Sequence, residues 1–382
     1  MTRLAQQGHN VLFVDPPINV GNVFFTQIKR GLWSISRVIK QYLITSEGAI
    51  VYTPLNVLPI TSITSKLHAR RIKSLAKTKL DPNIKTVLWA YHVQIPHIKT
   101  YIDTINHDLL VYDCVDNYTA FPENDAFYSA AANKHLTQKQ EEYLSKKADL
   151  IFVSAPGLIK KLDRYNKNIF FTPNVGAFTK FNAVSNVFKS KNDAILPDDL
   201  KSIPRPRVGF TGALDGYKFD YDLMLYVAKN NPNVNFVLIG PMALKDTDAD
   251  FSSLEIAKCK NVHYLGSRNY SSIQDYFAGF DAFMIPYVLN DYTVIGCFPV
   301  KFHDALAVGL PVVVTDMPAY YPFKDICFIS KSNPEFSANI QNALQSQTVD
   351  SIEKRIQVAS KNTWENKVST MLDLIRKFLG NK

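Results

Sequence analysis

The sequence of 382 residues contains little cysteine. Its four cysteines are scattered and never form a C-x-x-C pair, so the spacing indicates neither a zinc site nor a disulfide framework. No apolar run is long enough to cross a bilayer, and residues 1–14 lack the basic, apolar and small-residue order of a signal peptide. We therefore expect a soluble protein of the reducing cytoplasm.

Negative charge is also in short supply, since the formal net charge is +9 and the isoelectric point is near 9.1. Such a balance requires an anionic partner, which is nucleic acid, a membrane surface or a phosphorylated substrate. Nucleic acid is disfavoured because the basic residues do not interleave with a recognisable motif. Two basic segments with interleaved apolar residues predict peripheral contact with anionic lipid at the inner face of the membrane, although ordinary solvated surfaces explain them equally well. Their basic residues are Lys66, Arg70, Arg71, Lys73, Lys77 and Lys79 in the first, and Lys29, Arg30, Arg37 and Lys40 beside Phe24, Phe25 and Trp33 in the second.

Short β-rich runs alternate with longer helical patterns through nearly the whole chain, which predicts parallel sheets flanked by helices. With 46% hydrophobic residues, the chain can bury two α/β cores. We expect two Rossmann-like domains. The predicted strands are 11–14, 49–53, 86–91, 109–113, 150–154, 169–172, 207–211, 235–239, 262–265, 282–285 and 312–315.

Composition sets the expected domain limits. Residues 181–205 are rich in Asn, Ser, Lys, Asp and Pro, which predicts a linker between an N-terminal domain at 1–180 and a C-terminal domain at 206–361. Residues 362–382 predict a final helix that is capped by Asn362 and carries an apolar stripe.

The stretch Phe298–Thr315 carries the clearest site signal. A proline in its first turn and Gly309 after its end predict a short helix between a loop and a buried strand. The helix amino end carries partial positive charge, so Lys301 beside it favours a bound diphosphate. Asp304, one turn further on, could accept hydrogen bonds from two sugar hydroxyls. Standing alone, a solvated lysine and a surface carboxylate would explain the two residues more simply.

Other residues fall at strand ends of the same predicted sheet. Gly212 follows a strand and lets a ligand approach the backbone, although strand–glycine–helix turns also occur for structural reasons alone. Arg268 follows another strand and is expected to face the same crevice.

Three ordered stretches resemble the donor domain of group 1 (family 4-like) bacterial glycosyltransferases. They are Asn261-Val262-His263-Tyr264-Leu265-Gly266, then 278–287 (AGFDAFMIPY), then 299–313 (PVKFHDALAVGLPVV). In the first half, 110–118 (LVYDCVDNY), 152–155 (FVSA) and 172–175 (TPNV) resemble the subgroup that makes teichuronic acid and related surface polysaccharides.

The resemblance implies a GT-B fold, with an acceptor-binding first domain, a nucleotide-sugar-binding second domain and a last helix that crosses back. It implies that Lys301 lies near the donor phosphates and Asp304 near the ribose, where the family usually has the longer Glu. Many relatives carry Glu at the place of Gly296, so backbone N–H groups from Gly296 to Phe298 are expected to contact the donor instead. Lys218 is expected to replace a family arginine. No metal or other cofactor is implied.

On the acceptor side, Asp116 follows a strand and is the candidate that removes the acceptor proton or stabilises charge at the anomeric carbon. A turn cap is an equally good explanation of Asp113 and Asp116. His92 and Glu123 are weaker candidates. Relatives of this type open with a strand and a glycine loop, whereas this sequence begins within the helix that follows, so we expect the first domain to lack its first strand.

The sequence therefore predicts a glycosyltransferase that moves a sugar from a nucleotide-diphosphate donor to a glycan or lipid-linked acceptor in cell-surface polysaccharide synthesis. Two alternatives stay open. A non-catalytic GT-B subunit would bind nucleotide or a partner without turnover, and a nucleotide-sugar epimerase of the same fold would convert the donor without an acceptor.

Overall fold

The computed structural model describes residues 1–23, 28, 33–56, 60–95, 97–121, 134–242 and 250–380. Glu123 and the segment that carries Phe24, Phe25, Lys29 and Arg30 lie outside these ranges. The strands are β1 (Leu12–Val14), β2 (Ile18–Asn19), β3 (Tyr42–Ile44), β4 (Ile50–Tyr52), β5 (Leu55–Asn56), β6 (Val87–Ala90), β7 (Leu109–Cys114), β8 (Leu150–Val153), β9 (Ile169–Phe171), β10 (Arg207–Thr211), β11 (Asn235–Ile239), β12 (Val262–Gly266), β13 (Ala282–Ile285), β14 (Val312–Thr315) and β15 (Phe328–Ser330).

Helices fill the connections between the strands. They are α1 (Thr2–Gln6), α2 (Val20–Asn22), α3 (Ile35–Lys40), α4 (Ser62–Lys79), α5 (Ile98–Thr104), α6 (Lys134–Lys147), α7 (Pro156–Leu162), α8 (Phe178–Asn182), α9 (Ser185–Ser190), α10 (Asp198–Lys201), α11 (Tyr221–Asn230), α12 (Ile273–Ala278), α13 (Lys301–Val308), α14 (Asn333–Gln345), α15 (Val349–Lys361) and α16 (Trp364–Gly380). Among the described residues, no helix is both long and apolar enough to span a bilayer.

The second half contains one six-stranded sheet in the order β12-β11-β10-β13-β14-β15, with every pair parallel. Strands β10, β13 and β14 are buried along their whole length, as expected when helices cover both faces of a parallel sheet. All six strand carboxyl ends therefore meet at one edge, where ligands bind in such sheets.

The described strands of the first half fall into three sheets. A parallel sheet has the order β6-β7-β8-β9, a second sheet has the order β1-β4-β3, and β2 pairs with β5. Within the described part of the chain, no ladder joins β1 to β6, but the rings of Phe13 and Tyr91 stack between them with centroids 5.8 Å apart. This division agrees with the expected gap in the first sheet.

The predicted linker is more structured than its composition suggests. Residues 178–201 form the short helices α8, α9 and α10, and five of the apolar side chains at 181–203 are buried in the core of the second half. They are Phe181, Phe188, Leu196, Leu200 and Ile203. The apolar residues are too irregularly spaced to indicate helices from the sequence. The exact domain boundary stays a prediction.

The last helix, α16, packs on the sheet of the first half. Met371 and Ile375 are buried against Leu109, Val111 and Phe152, so the end of the chain returns to the first core. The predicted cap was wrong, because the hydroxyl of Thr363 accepts from the N–H of Asn366, at 3.3 Å. Asn362 instead ends α15, where its side-chain amide donates to the Val358 carbonyl, at 2.8 Å.

Candidate active site between the two halves

The candidate site begins at two glycines that follow β10 and β11. Gly212 and Gly240 have φ values of +137° and +145°, which glycine adopts readily and other residues rarely do. The two backbones are so close that a Cβ on Gly240 would collide with the Gly212 carbonyl. A Cβ on Gly212 would in turn collide with the ammonium of Lys301. The predicted glycine turn therefore lies directly against the predicted phosphate-binding lysine.

Lys301 occupies the first position of α13 and is enclosed by aromatic rings. Its ammonium donates to the hydroxyl of Tyr287, at 3.1 Å, and lies 4.2 Å from the centroid of the Phe210 ring. Burial is the main reason why its pKa falls from 10.5 to about 7. Among the described residues, no carboxylate is in ion-pair contact with it. A buried cation held only by a hydroxyl and ring faces is incompletely compensated, and a bound anion would complete the site.

Lys218 contributes a second positive charge near the same pocket. Its ammonium lies 3.8 Å from a carboxylate oxygen of Asp215, and 4.9 Å and 5.5 Å from the ring centroids of Tyr217 and Tyr292. Its charge also helps to lower the pKa of Lys301. Two like charges near one pocket repel each other unless a ligand of opposite sign lies there.

Asp304 faces the segment that joins the two halves. One of its oxygens, Oδ1, accepts from the Ala177 N–H, at 2.9 Å, and only 5% of the residue is exposed. Burial raises the pKa of this carboxyl to about 7, against the lowering effects of the Ala177 N–H, Lys180 and Lys301. Sequence reasoning missed the contact with Ala177, because the two residues are 127 positions apart.

Asp116 of the first half is brought to this pocket. It follows β7, is partly buried, and has a pKa of about 6, raised chiefly by burial. A hydrogen bond from the Tyr292 side chain and the charge of Lys218 act in the opposite direction. Asp113 differs, because it accepts from the indole N–H of Trp89, at 3.1 Å, on the sheet face that α16 covers. Of the two acids, Asp116 is therefore the one at the pocket.

His92 also lies on the acceptor side, with its ring centroid 5.2 Å from that of Tyr118. Burial lowers its pKa to about 4, so the imidazole is neutral near pH 7.

Gly296 lies where the two halves touch. It ends a π-helical turn, Tyr292–Gly296, and a Cβ there would collide with Asn117. Beside it, the Asn117 side-chain amide donates to the Asp291 carbonyl, at 3.0 Å, and the rings of Phe121 and Tyr292 are 4.8 Å apart. Position 296 therefore has no room for the glutamate that many relatives carry there.

Phe298 is expected to contact the donor through its backbone N–H, and that expectation stays a prediction. The Phe298 side chain is 2% exposed and packs among Phe302, His303 and Tyr320, while its carbonyl accepts from Asn174, at 3.0 Å. The Phe298 side chain therefore belongs to the apolar core and is not a ligand contact.

Arg268 lies at the same sheet edge but is engaged elsewhere. It forms an ion pair with Asp199, at 2.5 Å, and donates to the Tyr276 hydroxyl, at 2.8 Å. Asp199 belongs to the segment that was predicted to be a linker, so this partner could not be foreseen. The contacts of Arg268 are therefore with Asp199 and Tyr276 and not with the residues around Lys301 and Lys218.

Comparison with known proteins decides the family of the second half. Residues 205–346 match the family model described as glycosyl transferases group 1. The chain carries a group 1 glycosyltransferase domain. The matched range contains Gly212, Lys218, Lys301 and Asp304, and so includes the whole donor side of the candidate site.

A second similarity covers more than half of the chain. The chain is 27% identical over 216 residues, 56% of its length, to the Bacillus subtilis (strain 168) protein that carries the name teichuronic acid biosynthesis glycosyltransferase TuaH. The match covers 51% of that protein, so the chain spans about half the length of this curated relative.

Solved glycosyltransferases share the fold along nearly the whole chain. Sucrose-phosphate synthase from Thermosynechococcus elongatus has a TM-score of 0.64 at 12% identity, and the match covers 98% of this chain and 100% of that one. HepE from Anabaena, solved in complex with UDP, has a TM-score of 0.62 at 14% identity, with the same coverage. The predicted mixed α/β GT-B fold is confirmed.

Proposed function

We propose that the protein transfers a sugar from a nucleoside-diphosphate donor to a hydroxyl of a glycan or a lipid-linked acceptor. The observation that carries this proposal is the buried Lys301 ammonium, which lies against the Gly212 turn without a carboxylate partner among the described residues. A diphosphate would supply the missing negative charge, and the amino end of α13 would add its unpaired N–H groups.

We propose separate roles for these residues along the reaction path. As the bond from the anomeric carbon to the diphosphate oxygen breaks, negative charge grows on the leaving group, and Lys301 and Lys218 stabilise it. Asp116, from the other half, takes the proton of the attacking hydroxyl or stabilises positive charge at the anomeric carbon. The oxygen of Asp304 that Ala177 does not occupy is available for a ribose hydroxyl. None of these steps requires a metal, and transfer that persists in EDTA would support this.

The relatives narrow the proposed substrates. HepE was solved with UDP, and TuaH is named for teichuronic acid, so we propose a uridine nucleotide sugar and an acceptor in cell-surface polysaccharide synthesis. A thermal-shift panel of nucleotide sugars ranks the candidates, because a ligand stabilises the folded state in proportion to its occupancy.

Replacing Lys301 tests the donor site. Calorimetry with UDP should show at least tenfold weaker binding for Lys301→Met, since a charge-assisted hydrogen bond to a diphosphate contributes about 1.5–3 kcal/mol. The matched control is Lys324→Met, which removes an exposed ammonium from the same half. Equal UDP affinity in Lys301→Met and wild type would disprove the assignment.

We also propose that α4 holds the protein at the inner, cytoplasmic face of an anionic membrane. Ile63 and Leu67, one turn apart on this helix, are 73% and 56% exposed. Six exposed basic residues accompany them, and α4 contains no acidic residue. They are Lys66, Arg70, Arg71, Lys73, Lys77 and Lys79. Apolar side chains that insert beside basic ones fit an anionic lipid surface.

Vesicle flotation tests this surface. Wild type should float with vesicles that contain anionic phosphatidylglycerol and not with neutral phosphatidylcholine. Lys66→Glu/Arg70→Glu should abolish flotation, while Lys258→Glu, an exposed change in the second half, should not. Flotation of the double variant equal to wild type would refute the proposal.

One observation favours the non-catalytic alternative, namely the division of the first-half strands into three sheets. In that case UDP would bind and no sugar would be transferred to any acceptor. An epimerase would instead convert the nucleotide sugar without an acceptor, so a donor-only incubation followed by product analysis separates the three functions.

A further inference from the structure

Asn117 is one of two polar contacts described above between the loop after β7 and the second half, the other being the hydrogen bond from Tyr292 to Asp116. It is 3% exposed, and its amide nitrogen donates to the Asp291 carbonyl, at 3.0 Å, next to the turn that ends at Gly296. Asp116, its neighbour in sequence, is the proposed catalytic carboxylate. Because the two residues are adjacent, the position of Asp116 relative to the donor pocket depends in part on how Asn117 is held.

Two donors hold the other side of the Asn117 amide. Its oxygen Oδ1 accepts from the Lys161 ammonium, at 2.8 Å, and from the Thr119 hydroxyl, at 3.0 Å. An ammonium can only donate, so it must face the oxygen of the amide and not the nitrogen. Lys161 therefore fixes which way the Asn117 amide points, and the NH₂ group is left to face Asp291.

Lys161 is in turn fixed by a buried carboxylate. Its ammonium lies 2.6 Å from Oε2 of Glu141, whose side chain is only 3% exposed. The other oxygen of Glu141 accepts from the hydroxyl of Tyr112, at 3.2 Å, within the first-half core. Three elements, β7, α6 and α7, thus contribute to one polar chain that ends at the second half.

We propose that the Glu141–Lys161 ion pair is a positioning device, which orients Asn117 and thereby sets Asp116 against the donor pocket. Neither member of the pair contacts the pocket, so both act through Asn117. A buried ion pair is costly for stability and could be replaced by apolar residues, so its orienting effect is the function that the geometry supports. The inference rests on the proposed function, because it presumes that Asp116 takes part in the transfer.

The test uses the full chain and a set of matched variants. Lys161→Met alone would leave the Glu141 carboxylate buried and unpaired, and the protein could fail to fold. Lys161→Met/Glu141→Gln removes both charges and keeps an acceptor for Tyr112. Lys161→Arg keeps the charge, and Lys160→Met is the control, since Lys160 is the exposed neighbour on the same helix.

We expect the double variant to bind UDP within twofold of wild type, because the donor site belongs to the second half. Its kcat at saturating donor should fall at least tenfold, Lys161→Arg should recover most of that loss, and Lys160→Met should match wild type. Amide hydrogen exchange at residues 291–297 should be faster in the double variant. A kcat within twofold of wild type, or unchanged exchange at 291–297, would overturn the inference.

The two proposals fail in distinguishable ways. If wild type binds no UDP and transfers no sugar, the proposed function is wrong, whereas the exchange measurement still tests the positioning device on the protein without ligand. If wild type is active and the double variant equals it in kcat, only the positioning inference is wrong.

Discussion

The six strands of the second half form one parallel sheet, whereas the described strands of the first half are divided among three sheets. In the continuous sheet, every strand end shares one edge, so Gly212, Gly240 and Lys301 meet although they are far apart in sequence. The first half supplies its main acid from β7, which has neighbours on both sides in the four-stranded sheet. In each half, these candidate site residues therefore follow strands that are paired on both sides. Four experiments test this contrast.

The largest effect is expected at the glycine contact of the second half. Gly240→Ala would force a Cβ into the Gly212 carbonyl at a φ of +145°, and should lower the free energy of unfolding by about 4 kcal/mol or prevent folding. Gly48→Ala in the first half is the control, because its φ is +87° but nothing lies within 4 Å of the added Cβ. It should cost only about 1 kcal/mol. Urea denaturation of both variants checks the difference, and equal losses would contradict it.

The second experiment asks which half depends on α16. Met371→Ala removes a buried side chain from the first-half core and should cost about 3 kcal/mol. Hydrogen exchange should become faster in β7 and β8 and remain unchanged in β13 and β14. Thr370→Ala, one residue earlier and exposed, should have little effect on stability. Faster exchange in the second-half sheet would contradict the packing of α16 on the first-half core.

The third experiment concerns the acid that the first half contributes. Asp116→Asn should lower kcat about 100-fold, the scale of a lost proton acceptor, with UDP affinity unchanged. In wild type, kcat should fall as the pH drops through about 6, because the acceptor proton can only be taken by the ionised carboxylate. The variant should lack that limb of the pH profile. A variant with wild-type kcat would assign Asp116 to a structural role.

The smallest effect is expected from Lys301 in the absence of ligand. The pKa of Lys301 is about 7 in the folded protein and 10.5 when exposed, so the unfolded chain binds more protons between these values. The contribution of Lys301 to the free energy of unfolding should therefore rise with pH from about 7 to 10.5. Lys301→Met should be more stable than wild type by about 1–3 kcal/mol near pH 7, and the advantage should shrink at higher pH. Thermal unfolding across this range checks the sign. A less stable variant near pH 7 would refute the account.

The sequence was most informative where a strand is buried on both faces. The predicted limits of β10, β11, β13 and β14 agree with the structure to the residue, since continuous apolar runs bounded by glycine or proline leave little choice. The short strands β2, β3, β5 and β15, of two or three residues each, were missed, whereas the three-residue strands β1, β4 and β9 were predicted.

Long-range partners explain what the sequence could not predict about the site. Lys301 and Gly212 were recognised from local patterns and do meet. The ion pair of Arg268 with Asp199 and the contact of Asp304 with Ala177 depend on how the chain folds back, and no local pattern records them. Glu141 and Lys161 escaped notice because each looks like an ordinary helix-surface charge until the fold buries them together.

The backbone crosses between the two cores twice, first after β9 and again between α15 and α16. The crossings are neighbours, because Gly176 and Thr363 form a parallel bridge and the Lys367 ammonium donates to the Thr172 carbonyl, at 3.0 Å. Because the two crossing segments run side by side, they resist sliding and twisting of the two halves more strongly than bending. We therefore expect any opening of the cleft to bend the chain at these two crossings.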